Sequence, residues 1–302
     1  MFVTRYFASA MAACALPLAS TPASASSAAD DGACALAVEA PSEALVSLPF
    51  RTIDGRIYLE AMVNGAGPYV FALDTGASGV GRADASLVEE LTLPPDGEDE
   101  TSDGVSSAVV DRVRIASLAL GALERHDVSL IARDYRSRMS AESAFSGILG
   151  REFFADGLLA IDFSAERLNF YRSREMRASQ AGAMTYERAF RVPVTLGDFE
   201  TTGNVDTGAN VTLVLPGPVY DEVEGTTLTP AGDASLTNTR IASSKAQLAG
   251  PVQIGGARLE DVPVRVVVEY PEVLVGAHAL QDHVLLIDQR HKTLALCPPA
   301  AP

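Results

Sequence analysis

The 302-residue sequence predicts an all-β chain folded as two similar lobes. Two observations carry that expectation. Short apolar or alternating runs separated by turn residues fill most of the chain, and one ordered set of signals occurs twice. In the first half, residues 46–50, 57–63, 69–73 and 109–120 read as strands. Asn64-Gly65 reads as a hairpin tip, because both residue types tolerate the positive φ that such turns need. In the second half, 192–196 and 264–268 read as strands; over the whole chain only 84–91 and 150–154 look helical.

The repeat begins at Phe71-Ala72-Leu73-Asp74-Thr75-Gly76-Ala77-Ser78 and returns at Gly203-Asn204-Val205-Asp206-Thr207-Gly208-Ala209-Asn210. Downstream, Leu118-Ala119-Leu120-Gly121 answers to Val252-Gln253-Ile254-Gly255, and Ile148-Leu149-Gly150 to Leu274-Val275-Gly276. Leu159-Ala160-Ile161-Asp162 then matches Leu285-Leu286-Ile287-Asp288. Asp74 to Gly150 spans 76 residues and Asp206 to Gly276 spans 70, so order and spacing both persist. One Asp-Thr-Gly alone reads as an ordinary turn whose Asp bonds to its own loop. A turn role does not account for a matched pair in parallel surroundings. The second copy is expected to lack the hairpin after its first strand, because Pro49 lies 25 residues before Asp74 and Pro193 only 13 before Asp206. The polar segment 173–183 reads as the link between copies.

Hydrophobic residues make up 47% and charged residues 21%, which is globular composition on a chain long enough for two cores. The net charge of −16 argues against nucleic acid or an anionic membrane surface as partner, since both need a basic footprint. Residues 1–25 read as a signal peptide: Arg5 supplies the positive region, 6–18 is nearly all apolar or small, and Ala23-Ser24-Ala25 fits a cleavage site. A retained anchor is the alternative, but the apolar run is short for a bilayer, and no later run is long enough to cross one. Residues 26–44 make a short N-terminal segment without Lys or Arg. Export would leave two cysteines, Cys34 and Cys297. An even count in an oxidising compartment points to a disulfide, with two unpaired buried thiols as the alternative.

Two Asp-Thr-Gly loops, each paired with a hydrophobic-hydrophobic-Gly segment, resemble the pepsin and retropepsin-like aspartic peptidases from about Leu45 to Leu296. The resemblance implies a β-barrel-like lobe around each loop with an active-site cleft between, an N-terminal lobe over 45–178, a C-terminal lobe over 179–297, and a tail at 298–302. It implies that Asp74 and Asp206 form a catalytic dyad. Thr75 and Thr207 would hydrogen-bond across the lobes, Gly76 and Gly208 would support the loops, and Ile148-Leu149-Gly150 and Leu274-Val275-Gly276 would pack beneath them. Flap hairpins are expected near 101–109 and 237–245, with no tyrosine in the first. The implied protein is an exported endopeptidase, periplasmic or secreted, acting on a peptide or protein substrate as a monomer with an internal pseudo-dimer.

The residue types fit that chemistry by themselves. Two carboxyls about 3 Å apart cannot both ionise, so one can accept a proton from an attacking water while the other donates to the carbonyl oxygen. Gly76 and Gly208 allow tight turns without a side chain to obstruct a substrate backbone. Ala77 and Ala209 follow the glycines where pepsins usually carry a hydroxyl residue, and Asn210 stands where the first copy has Ser78. The loops are therefore closer to the retroviral type. His126, His278, His283 and His291 lack metal-ligand spacing, and the run 76–81 lacks the Lys of a phosphate loop. No metal and no organic cofactor are expected. The rival reading is a non-catalytic peptide-binding protein that keeps the fold and the cleft.

Overall fold

In the computed structural model, residues 1–2, 32–38, 40, 42–188 and 190–299 are described, and the architecture lies within the unit Asp31–Pro302. The expected leader falls outside the described residues except for Met1 and Phe2. Three sheets account for the strands. Among the described residues, no helix is long and apolar enough to cross a membrane.

One sheet is shared by the two copies. Its six strands run in the order Val46–Pro49, Arg167–Tyr171, Leu158–Asp162, Val284–Asp288, Thr293–Cys297 and Met184–Thr185. The central pair is antiparallel with Ala160 opposite Leu286, so the repeated Leu-Ala-Ile-Asp and Leu-Leu-Ile-Asp segments lie against each other. Successive side chains point to opposite faces. Leu159, Ile161, Leu285 and Ile287 enter the main core, whereas Leu158, Ala160, Val284 and Leu286 enter a second apolar cluster. A sheet buried on both faces needs unbroken apolar strands, which is what these segments are.

The second cluster is covered by the 3₁₀ turn Ala33–Ala37 and tied down by a disulfide between Cys34 and the fully buried Cys297, with Cα atoms 5.5 Å apart. The 173–183 link is less free than its composition suggests. Met176 is fully buried, its N–H donates to Asp288 Oδ2 (3.1 Å), and its carbonyl accepts from Thr293 Oγ1 (2.8 Å). The buried Asp288 carboxylate needs donors, and the link supplies one alongside Arg290.

The first-lobe sheet runs Arg51–Ile53, Arg56–Val63, Ala66–Leu73, Gly147–Leu149, Gly81–Asp84, Leu123–Arg133, Ser107–Leu120 and Pro95–Ser102. Asn64 (φ 52°) and Gly65 (φ 76°) make the expected tight turn. The second-lobe sheet runs Thr229–Ser235, Arg240–Gln247, Pro263–Val266, Leu213–Leu215, Val273–Gly276, Phe199–Asp206, Arg191–Leu196, Val252–Ile254 and Ala257–Leu259. The expected helices are the α-helix Ala85–Leu91 and a 3₁₀ turn, Arg151–Phe154, but they are not alone, since Gly217–Tyr220 is a short α-helix that the apolar pattern did not mark. Among the described residues, the hairpin Arg51–Ile53/Arg56–Val63 has no second-lobe counterpart, because Arg191–Leu196 is the next strand after Met184–Thr185. Pro193 lies in that later strand rather than the first, so the two prolines do not mark equivalent points.

Candidate active site

Each Asp-Thr-Gly loop leaves the end of a central strand. Ala66–Leu73 is held between the antiparallel Arg56–Val63 and the parallel Gly147–Leu149, with Phe71 and Leu73 buried in the core. Phe199–Asp206 is held between Arg191–Leu196 and the parallel Val273–Gly276, with Asp206 opposite Gly276. A Cβ on Gly150 would fall on the Gly79 carbonyl oxygen, and one on Gly276 on that of Val211. Glycine is what lets each loop fold down over its hydrophobic-hydrophobic-Gly segment.

The two loops meet. A Cβ on Gly76 would lie 2.5 Å from Asp206 Oδ2, and one on Gly208 would lie 2.6 Å from Asp74 Oδ2. Each carboxylate therefore occupies the space that the missing side chain of the opposite glycine leaves. Within its own loop, Asp74 Oδ1 accepts from Ala77 N (2.9 Å) and Asp206 Oδ1 from Gly208 N (2.8 Å).

The threonines fasten the junction reciprocally. Thr75 Oγ1 donates to Val205 O (3.0 Å) and accepts from Thr207 N (3.0 Å). Thr207 Oγ1 donates to Leu73 O (3.0 Å) and accepts from Thr75 N (3.1 Å). Both threonines are buried, so the four bonds are shielded from competing water.

Burial, followed by the neighbouring Asp74 charge, pushes Asp206 up to about 8. Its Gly208 amide and the Arg56 guanidinium pull the other way. Arg56 belongs to the hairpin that only the first lobe possesses. Its Nε donates to Gly208 O (2.7 Å) and its Nη2 to Asn210 Oδ1 (3.2 Å). Asn210 Nδ2 donates in turn to Asp54 Oδ2 (2.5 Å), and His278 Nε2 lies 3.3 Å from Asp54 Oδ1. One lobe thus clamps the Asp-Thr-Gly loop of the other.

Two hairpins close over this arrangement, with tips near the expected 101–109 and 237–245. Pro95–Ser102/Ser107–Leu120 meets Thr229–Ser235/Arg240–Gln247 through Asp103 and Asn238. Asp103 Oδ2 accepts from Asn238 N (2.7 Å), while Asn238 Nδ2 donates to Thr101 O and Ser106 O (3.0 Å each). Burial works to raise Asp103, but the amides of Ser106, Asn238, Val105 and Thr239 hold it below the ordinary value. The first tip packs on Pro271 and Tyr270, and Tyr270 is itself pushed up by burial and then by Asp206. The tips therefore meet beside Tyr270, whose phenol lies in the field of Asp206.

The structure brings Asp74, Asp206, Thr75, Thr207, Gly76 and Gly208 to one junction and joins Cys34 to Cys297. Sequence reading missed Arg56, Asp103, Asn238, Tyr135 and Tyr270. The tyrosines carried a usable signal, since Asp134-Tyr135 and Glu269-Tyr270 occupy matching places, 61 residues after Asp74 and 64 after Asp206. Residues 59–153 match the family described as aspartyl protease. No curated protein matches the chain.

Proposed function

We propose that this chain, an aspartic peptidase family member through its first lobe, is an endopeptidase in which Asp74 and Asp206 act as one dyad across the lobe junction. The observation that carries the reading is the reciprocal seating of each carboxylate against the other loop's glycine. Water held between two such carboxyls can lose a proton to the ionised one as its oxygen attacks a peptide carbonyl carbon. The protonated one donates to the carbonyl oxygen, giving a tetrahedral diol. Burial and the Asp74 charge both raise Asp206, so the pair holds one shared proton in the resting state. The diol then collapses as the carboxyl that took the water proton passes it to the amide nitrogen, the other carboxylate takes a hydroxyl proton, and the C–N bond breaks. The titration belongs to the pair as a whole.

The threonine bonds keep the two carboxyls in register, which matters because small misplacements cost rate steeply. Two flap hairpins, one from each lobe, favour the retropepsin-like form. The disulfide supports export to an oxidising compartment, periplasmic or outside the cell. A junction completed within one chain supports a monomeric enzyme, and sedimentation of active protein at low concentration checks it.

The decisive experiment is cleavage of an unstructured peptide library from acid to neutral pH, alongside Asp74→Asn and Asp206→Asn. Cleavage abolished by both substitutions is the expected result. Folded wild-type protein that binds peptides without cutting any would favour the binding-protein reading.

A further inference from the structure

The two sides of the cleft share a frame but differ in charge. Beside the first loop lies an apolar group of Tyr58, Ala72, Ala77, Phe145 and Ile148, flanked by Tyr135. Beside the second lies the corresponding group of Val214, Val267 and Leu274, flanked by Tyr270. Arg82 sits opposite Ile148 in the same antiparallel register that sets Val214 opposite Leu274. Directly opposed residues share a face of the sheet. The first lobe therefore presents an arginine where its repeat presents a buried valine.

Among the described residues, Arg82 has no ion pair, and its buried Nε has no hydrogen-bond partner. The obvious partner is already saturated. Asp84, two residues on and on the same face, accepts from Ser86 N (2.9 Å) and Ser86 Oγ (2.6 Å) at Oδ1. At Oδ2 it accepts from Tyr135 N (2.8 Å) and Arg136 N (3.0 Å), which fixes the backbone of Tyr135. The Tyr135 hydroxyl is buried with the Arg82 guanidinium directed toward its oxygen, lies also in the field of Asp74, and has no acceptor for its own proton. A buried arginine Nε–H and a buried phenol O–H that both lack an acceptor are rare inside proteins and point to a ligand that supplies one. An arginine fork beside a phenol O–H suits a carboxylate.

We propose that Arg82 and Tyr135 form an acid-selective subsite on the first-lobe side of the scissile bond, which takes a glutamate or aspartate side chain of the substrate. The second-lobe side, lined by Val214 and Leu274, takes an apolar residue. This inference rests on the endopeptidase reading and names its substrate class.

The test uses peptide pairs that differ only by Glu or Gln at each position within three residues of the cut, at about pH 6, where Glu is ionised. Two quantities are read: kcat/KM of the wild type, and affinity for the non-cleaving Asp206→Asn protein by fluorescence anisotropy. Glu should be favoured over Gln at one position by about tenfold or more in both, and tenfold corresponds to about 1.4 kcal/mol. Arg82→Gln should bring the ratio to about one, Arg82→Lys should retain part of it, and Tyr135→Phe should reduce it. A ratio of one at every position in the wild type, or a ratio that survives Arg82→Gln, overturns the subsite. If Arg82→Gln does not fold, the wild-type ratio and Arg82→Lys decide. Cleavage without Glu preference sinks the subsite and leaves the peptidase reading intact. Glu-selective binding without any cleavage does the reverse.

Discussion

Replacing Thr207 with valine should loosen the junction between the lobes with little change in volume. The hydroxyl accepts from Thr75 N and donates to Leu73 O, and Thr75, Leu73 and Thr207 are each at most 2% exposed. Valine leaves one buried N–H and one buried carbonyl without partners. Each such group costs about 1–3 kcal/mol, so a loss of about 2–6 kcal/mol is expected, centred near 4. Thr75→Val should cost the same, because its hydroxyl serves Thr207 N and Val205 O in the mirror arrangement. All four bonds span a single seam. The double variant should therefore lose less than the sum of the singles, as contacting sites do. Urea unfolding of the four proteins measures this. A Thr207→Val loss below about 0.5 kcal/mol, or strict additivity, would refute the idea that the threonines hold the seam.

Other consequences follow from the same geometry. Burial and the Asp74 charge push Asp206 up to about 8 in the folded protein, whereas the unfolded carboxyl ionises near 3.8. Its contribution to stability is therefore complete below about pH 4 and declines as pH rises toward 8, by at most about 1.4 kcal/mol per pH unit. Urea unfolding at pH 5, 6 and 7 should show this decline and Asp206→Asn should flatten it; equal slopes would contradict the assignment. The alkaline limb of kcat/KM should likewise fall near pH 8, and a limb below pH 5 would count against a dyad proton held by burial. Gly208→Ala puts a methyl 2.6 Å from Asp74 Oδ2, so activity should fall by about 10²-fold or more in a protein that still folds. Near-normal turnover would show that the loops are not seated as described. Asp103→Ala removes the acceptor for Asn238 N and should speed hydrogen exchange at that amide by about tenfold. Unchanged exchange would mean that the tips do not depend on this contact.

The all-β class, the repeat and the two Asp-Thr-Gly loops were legible because they are local and periodic. Apolar runs mark strands by their length and spacing, and Asp74 and Asp206 stand in contexts that repeat in order. The hydrophobic-hydrophobic-Gly segments were legible for a related reason: only glycine tolerates the overlying carbonyls of Gly79 and Val211, so the chain must spell the requirement out. The tertiary structure decided the contacts between segments far apart in sequence that carry no motif. Arg56 reaches Gly208 across 152 residues, and Asp103 reaches Asn238 across 135. Neither residue type is unusual where it stands. Arg82 is the sharpest case, since an arginine in a strand reads as solvent-facing. Only the register against Ile148 and the saturation of Asp84 leave its buried Nε without a partner on the face that Ile148 shares. Local sequence encodes which segments can form strands and turns. Which side chains are left without partners depends on packing of the whole chain, and that is where the chemistry of this site is set.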